Sequence, residues 1–581
     1  MWGAPGSRSC LVGDALHDVL LNSYAAKMCA RRVHNDFDRT ISQDRREPDP
    51  ELQRILDEGV NFEADVLSTL TAELGEQFVS VGPYDSKERM IRETVHAMHD
   101  GVAVISDGWL PDDTIGGRKG RPDLLLKVES DDGHCYVPGD IKAHKTLNAA
   151  KTRHALVATP PSLTDRFPLP GWSEIISERL GDYLQLAHYS RMLDAAGFGP
   201  KGNSRSGFII GRDTVPDDIE APFLLVWHDL NEPKFSTYSA SQGKKKRSAL
   251  ERYDHEHAFR VKVAGVASQR TGHTSDPEPM VDPIGQDECL ECPYQQHCAN
   301  LMHGMASHDI TSGRLSIREW LTLQSLGVTT TSELAQVDTV DSGWISQYLE
   351  QIPHQRQAET RLKNAVTRAR MIEADIQLMR TTDKPLIAPT ADIEIDFDIE
   401  WDSDDQVYLW GARARTSQDE STAEYKPFVS WRQLDDGGKA LAADFVRWLR
   451  EQIEVARATG KSLKVFHYTT PETRFLVNLL DDVDLQDLVD EYFVDLAVWV
   501  RSNVFGVQGL GLKKVANALG FQWASEDDGG LQSQTWLVAA RDERDPDHES
   551  MRERILEYNA NDVRATAWVR DHIQCASPPI S

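Results

Sequence analysis

Residues 391–401 read ADIEIDFDIEW, and their alternation puts Ile393, Ile395, Phe397 and Ile399 on one side of an extended chain and Glu394, Asp396, Asp398 and Glu400 on the other. A period of two is that of a β-strand, here with an apolar face and a carboxylate face. Carboxylates at i and i+2 on one strand face stand close enough to share or bridge metal ions. Spacing alone allows Glu394 with Asp396 as well as Asp398 with Glu400. Working outward, VYLWGARA (407–414) is a second β-like run, KVFHYTT (464–470) a strand leading into a helix, and RERILEYNANDVRATAWV (552–569) a closing helix. On that helix Tyr558 and Asp562 are one turn apart and share a face. These elements imply a mixed α/β domain over about residues 386–581.

Toward the N-terminus, GRPDLLL (120–126) and GDIKAHK (139–145) set Asp123 ahead of a D-x-K pair, Asp140 and Lys142. On a strand that pair shares a face, roughly 7 Å apart at Cα, with Ile141 turned toward the core. Phosphodiester hydrolysis needs a metal to hold an attacking water and a nearby cation to steady the developing charge, and these three side chains supply those groups. A lone Cys29 in SYAAKMCARR precedes this region, and Cys289, Cys292 and Cys298 in CLECPYQQHC follow it. Soft thiolates suit zinc or iron–sulfur, whereas carboxylates suit Mg²⁺ or Mn²⁺, so two chemically distinct metal sites are expected. Any metal held by all four cysteines joins the two ends of the region. Sequence spacing leaves a [4Fe–4S] cluster and zinc both open, with His297 as a further zinc ligand.

The 581 residues exceed what one core usually organises. Three segments are expected: 1–300, a helical connector at 301–385, and 386–581. In the connector REWLTLQSLGVTTTSELAQ reads as two short helices around a glycine turn, and AETRLKNAVTRARMIEADIQLM as one polar-faced helix. No signal-peptide pattern opens the chain and no run of about 18 apolar residues occurs. A membrane role is therefore not expected, and a cytoplasmic location is. Seven cysteines, an odd count, fit thiolate ligation better than a disulfide framework. Cys135 reads as a core thiol, while Cys10 and Cys575 are uninformative. The net charge of −29 argues against indiscriminate nucleic-acid binding over the whole surface but not against a local basic groove. The dense basic run Lys244–Arg247 reads as a solvated loop. With no P-loop motif, any helicase would be a separate partner.

Gly59 with Glu63 in EGVNFEADVL, then GRPDLLL, GDIKAHK and YLQLAHY with Tyr183, Gln185 and Tyr189, stand in the order of the RecB-like branch of the PD-(D/E)XK nucleases, which the chain resembles. The resemblance implies metal ligation by Glu63, Asp123 and Asp140, catalysis aided by Lys142, and support from Gln185 and Tyr189. Phe62 stands where that branch usually has a histidine, so Glu63 would have to serve. Similarity to iron–sulfur-stapled RecB-like nucleases covers Cys29, Cys289, Cys292 and Cys298 and favours the cluster over zinc. The C-terminal part resembles RNase H-like exonucleases of the DEDD class. That resemblance assigns Asp398 and Glu400 to the first motif, Glu472 in HYTTPETRFL to a looser second, and Tyr558 with Asp562 to the third, the tyrosine orienting water and the acids binding metal. Asp495 is a candidate supporting acid, and Lys513 and Lys514 in GLGLKKVANALGF candidate phosphate contacts. The whole chain resembles two-nuclease, RecB-like bacterial proteins, which implies a metal-dependent DNA nuclease. Alternatives are a nucleic-acid-binding scaffold with degenerate centres, or a ribonuclease.

Overall fold

The computed structural model describes residues 19–44, 50–130, 133–202, 204–216, 218–239, 243–402, 405–434, 436–480, 484–524 and 532–580. Cys10 lies outside them. The chain divides into two compact units, one of residues 1–283 and 287–301, the other of 284–286 and 302–581. The connector segment thus falls within the second unit.

The first unit is built on an eight-stranded sheet in the order Phe78–Ser80, Val104–Ser106, Leu124–Ser130, Gly133–Lys142, Ser206–Gly211, Leu225–Asp229, Ala155–Thr159, Ser162–Leu169. The strand ending in Asp140 and Lys142 lies inside this sheet, antiparallel to Leu124–Ser130 and parallel to Ser206–Gly211. Ile141 is buried with Phe208, Ile210, Trp227 and Val66, as period two requires of a residue between two site groups. Phe62 packs against that same core, and Arg212 lies over its ring at 5.3 Å. Helix Leu180–Ala196 covers the sheet and is buried along most of its length. The basic run is not a loop. Gly243–Arg247 pairs antiparallel with Phe235–Ser239 in a separate two-stranded ribbon. With both faces polar, no alternation marks this ribbon as strand.

In the second unit a five-stranded sheet runs Asp419–Val429, Val407–Thr416, Ile393–Trp401, Leu463–His467, Phe493–Asp495. The first three form an antiparallel meander and the last two run parallel to Ile393–Trp401, which is therefore central. Its apolar face meets helix Lys439–Thr459: Phe397 stacks on Phe445 at 4.8 Å and Ile395, Ile399 and Leu449 close the layer. Helix His548–His572 packs over the carboxylate face, so acids that an exposed strand would present to water are covered. Connector helices Ile317–Ser325 and Thr331–Ala335 flank Gly327, whose φ of 81° suits glycine. The expected long helix stops at Glu373, because Asp375 turns left-handed (φ 54°) and Leu378–Arg380 pairs as a strand with Val504–Gly506.

Candidate active site

The central strand and the closing helix run past each other in opposite directions, and their charges divide the interface in two. Toward the strand's start, the acids meet arginines. Arg415 Nε donates to Glu394 at 2.8 Å, Arg570 reaches Asp396 at 2.9 Å and Glu394 at 3.3 Å, and Arg413 lies 3.8 Å from Asp396. Glu394 and Asp396 are thereby committed to a buried ion network. Toward the strand's end the helix instead presents Asp562.

Asp398, Glu400 and Asp562 have ligand oxygens all within 4.8 Å of one another, and no other such trio of His, Cys, Asp or Glu occurs among the described residues. Burial, then the negative charge of Asp562 and Glu400, hold Asp398 well above the usual carboxylate range. Burial and Asp562 push Glu400 up to about 8, and burial pushes Asp562 up to about 7 despite Lys513 nearby. Three like charges so close resist ionisation unless a cation joins them. Asp562 Oδ1 is buried without a hydrogen-bond partner. A buried carboxylate with an unpartnered oxygen, grouped with two more carboxylates, is what a hard divalent ion would satisfy, so these residues fit Mg²⁺ or Mn²⁺.

Neighbouring side chains fix the acids. Asn559 Nδ2 donates to Asp398 at 3.0 Å, and Asn559 Oδ1 accepts from Tyr425 at 2.9 Å. Gly411, paired across the sheet with Asp398, makes this possible: a Cβ there would lie 1.6 Å from Asn559 Oδ1. Ser533 Oγ donates to Glu400 at 2.7 Å. Lys513 Nζ donates to the Tyr558 hydroxyl at 3.2 Å and lies over the Tyr558 and Trp523 rings. Lys514 is not at this site; it lines a small cavity with Gln377, Gln508 and Asn517. Glu472 stays outside the trio. It sits in the first turn of helix Pro471–Leu479, accepts from Thr469 Oγ1 at 3.2 Å, and is close enough for its charge to raise Asp398. Asp495 is a helix cap, accepting from Val498 N at 2.9 Å. Asn559 and Ser533 were missed in the sequence; Asn559, three residues before Asp562, shares its helix face, but Ser533 carries no local signal.

In the first unit the D-x-K pair and Asp123 do meet. Lys142 Nζ lies 2.6 Å from Asp140 Oδ2, and Asp123 Oδ2 accepts from the Ile141 amide at 2.8 Å. Burial, then the Asp140 charge, raise Asp123 well above its ordinary value. Gln185 bridges Lys27 (2.9 Å) and Asp140 (3.3 Å). Tyr189 donates to the Arg121 carbonyl at 2.9 Å and contacts Ser23 Oγ at 3.1 Å, and burial, then the Asp140 charge, raise its hydroxyl above the ordinary value. Glu63 is half-buried and raised chiefly by burial and by Asp107, but with Asp123 and Asp140 it forms no trio of the tightness seen at Asp562.

Cys29 caps helix Ala30–Phe37, and the cysteine triplet docks beside that helix. Arg31 donates to the Val281 carbonyl (3.1 Å), Tyr294 to Asp36 (2.8 Å), and Asn35 Nδ2 to Cys298 Sγ (3.5 Å). The thiols feel one another: burial first, and further down the Cys289 charge, raise Cys29 (to about 11), Cys292 and Cys298. No three of these sulfurs lie within 4.8 Å of one another among the described residues. Cys135 is buried, as a core thiol would be, and Cys575 is exposed.

The antiparallel meander extended by two parallel strands, with carboxylates gathered on its central strand, defines an RNase H-like domain, a nuclease-type fold. Residues 395–574 match the family model described as RNase_H superfamily. RNase H-like nucleases usually use Mg²⁺ or Mn²⁺, in keeping with the acid trio present here. No curated protein and no solved structure matches the chain. No helix among the described residues is long and apolar enough to cross a membrane.

Proposed function

We propose that the protein is a metal-dependent nuclease hydrolysing phosphodiester bonds of DNA, acting as an exonuclease on single-stranded or flapped ends in repair, recombination or defence. The observation that carries this reading is the Asp398, Glu400 and Asp562 trio, whose crowded carboxylates leave Asp562 Oδ1 unsatisfied. When bound, Mg²⁺ or Mn²⁺ supplies the positive charge that holds an attacking water and offsets charge gathering on the phosphate. The chain's own groups do the rest. Asn559 and Ser533 hold Asp398 and Glu400 in fixed rotamers, and Tyr558, its hydroxyl held by Lys513, orients water beside Asp562. Preorganisation of this kind means that no side chain has to be reordered as the reaction proceeds.

For the first unit the supported reading is a second, RecB-like PD-(D/E)XK centre in which Asp140, Asp123 and Glu63 bind metal and Lys142 steadies charge. Two observations favour a degenerate centre there: Glu63 does not close a tight trio, and Phe62 is half-buried against the core. In that case the unit holds nucleic acid without cutting it. Cys29, Cys289, Cys292 and Cys298 are read as ligands of a [4Fe–4S] cluster, with zinc as the alternative. A cytoplasmic location and a separate helicase partner belong to the same reading.

The test is digestion of end-labelled single-stranded DNA, duplex DNA and matched RNA with Mn²⁺. Asp398→Asn should lower the rate by about 100-fold or more. Lys142→Ala, assayed separately, reports the other centre. Equal nucleotide release by wild type and a variant carrying both Lys142→Ala and Asp398→Asn would leave no role for either centre, and preference for RNA would replace the DNA reading.

A further inference from the structure

The two-stranded ribbon Phe235–Ser239 and Gly243–Arg247 belongs to no site described above. Its sequences, FSTYS and GKKKR, contain no acid, in a chain with 92 acidic against 63 basic residues. Lys244, Lys245 and Lys246 are all exposed. Consecutive strand residues point to opposite faces, so exposure of all three means that water reaches both faces of the ribbon. Tyr238 pairs with Lys244 and Ser236 with Lys246, and directly paired residues share a face. One face thus carries two lysines whose Cα atoms stand about 6.7 Å apart along the strand, each paired with a hydroxyl-bearing residue. Thr237 and Lys245 lie on the other face. Among the described residues no carboxylate pairs with Lys244, Lys245 or Lys246.

The ribbon is anchored at its base, through both strands. Phe235 is buried against Tyr183, ring centroids 5.1 Å apart. Lys234, just before it, pairs with Glu174, which also accepts from the Tyr183 hydroxyl at 2.9 Å. At the same end, on the partner strand, Ser248 and Glu251 form a reciprocal capping box that starts helix Ala249–Ala267. Arg247 Nε donates to Thr237 Oγ1 at 3.1 Å and ties the two strands together. Tyr183 sits on the helix that presents Gln185 to Asp140, so the ribbon is braced against the scaffold of the first unit's candidate centre.

We propose that the Lys244 and Lys246 face of this ribbon is a nucleic-acid docking surface that grips the phosphate backbone of DNA. It deepens the nuclease reading and rests on it for the choice of DNA. A row of cationic and hydroxyl groups on strands that contain no acid complements a polyanion. A two-stranded ribbon also fits the width of the major groove. Lys246 also borders a cavity of about 470 Å³ whose wall is of mixed charge, with Arg153, His154 and Lys234 beside Glu174, Asp229 and Glu232, so the docking surface is confined to the ribbon face.

The experiment measures binding of a fluorescent 30-nucleotide DNA, single-stranded and duplex, to the full chain in EDTA, so that cleavage plays no part. Salt is varied from 50 to 200 mM. Lys244→Ala with Lys246→Ala should flatten the slope of log K against log salt by about 1.4 on single strands and about 1.8 on duplex, for two lost phosphate contacts. Lys245→Ala should change the slope by less than half as much. An unchanged slope in the double variant overturns the proposal even if the wild type digests DNA. Equal effects from Lys245→Ala also overturn it, because they would show a response to net charge rather than to this face. Tight binding of the wild type to phosphatidylserine vesicles without DNA binding would assign the ribbon to a membrane surface instead. A flattened slope in a chain that cuts no DNA would keep the ribbon and remove the nuclease reading. Unchanged thermal melting of the variants checks folding.

Discussion

Burial holds Glu400 at about 8 and Asp562 at about 7, so near neutral pH both retain protons that an incoming cation must displace. Their folded values lie above those of an unfolded chain, which ionises near pH 4. Without metal their contribution therefore favours folding least at high pH, declining as pH rises from about 4 through 8. A divalent cation reverses that loss, and its effect should grow across the same interval. We expect the rise in melting temperature on adding Mg²⁺ to be small at pH 5.5 and largest above pH 8. At a hundredfold excess over Kd it corresponds to about 2.7 kcal/mol. Glu400→Gln with Asp562→Asn should abolish the rise. A metal-induced shift that is flat in pH, or that survives in the double variant, would show that these carboxyls are not the ligands.

At the scale of elements, one strand and one helix carry both a structural and a chemical interface. Arg570 neutralises Glu394 and Asp396 inside the protein, and removing it strands two buried carboxylates with only Arg415 and Arg413 beside them. Arg570→Met should cost about 3 to 5 kcal/mol in denaturant unfolding. Metal affinity should change little by comparison, because the trio lies further along the helix; a variant of unchanged stability would contradict the ion-network assignment. The alternation of residues 393–400 made the strand legible from sequence, and the i, i+4 step made Tyr558 with Asp562 legible on a helix. Which acids pair with arginine was not legible, since all four share one pattern and their partners lie about 20 to 180 residues away. Lys244–Arg247 read as a loop because a ribbon wet on both faces leaves no period, and Asp495 read as a site acid because a cap is defined by the backbone it meets.

For the whole molecule, each compact unit carries its own acidic group, so effects of Lys142 and Asp398 substitutions on separate substrates should be independent. Cys29, Cys289, Cys292 and Cys298 belong wholly to the first unit. A metal joining Cys29 to Cys289 would close a loop of roughly 260 residues, a constraint on the order of 5 kcal/mol if it acts as a cross-link. Anaerobically purified protein should carry about 4 Fe per chain with broad visible absorption, lost in Cys298→Ser together with thermal stability. Asp398-dependent cleavage should persist in that variant. Zinc without iron would replace the cluster, and neither metal would remove the staple.

The opposed charges on the closing helix also work as a ruler. Arg570 follows Asp562 by eight residues, about 12 Å of helix, while Asp398 follows Glu394 by four, about 13 Å of strand. An inserted residue between Asp562 and Arg570 would turn the helix by about 100° and leave one end facing the wrong way. Length variation across generations of such sequences should therefore be purged from this octet while loops nearby drift freely, giving a fixed spacing by which distant kin of this domain can be recognised.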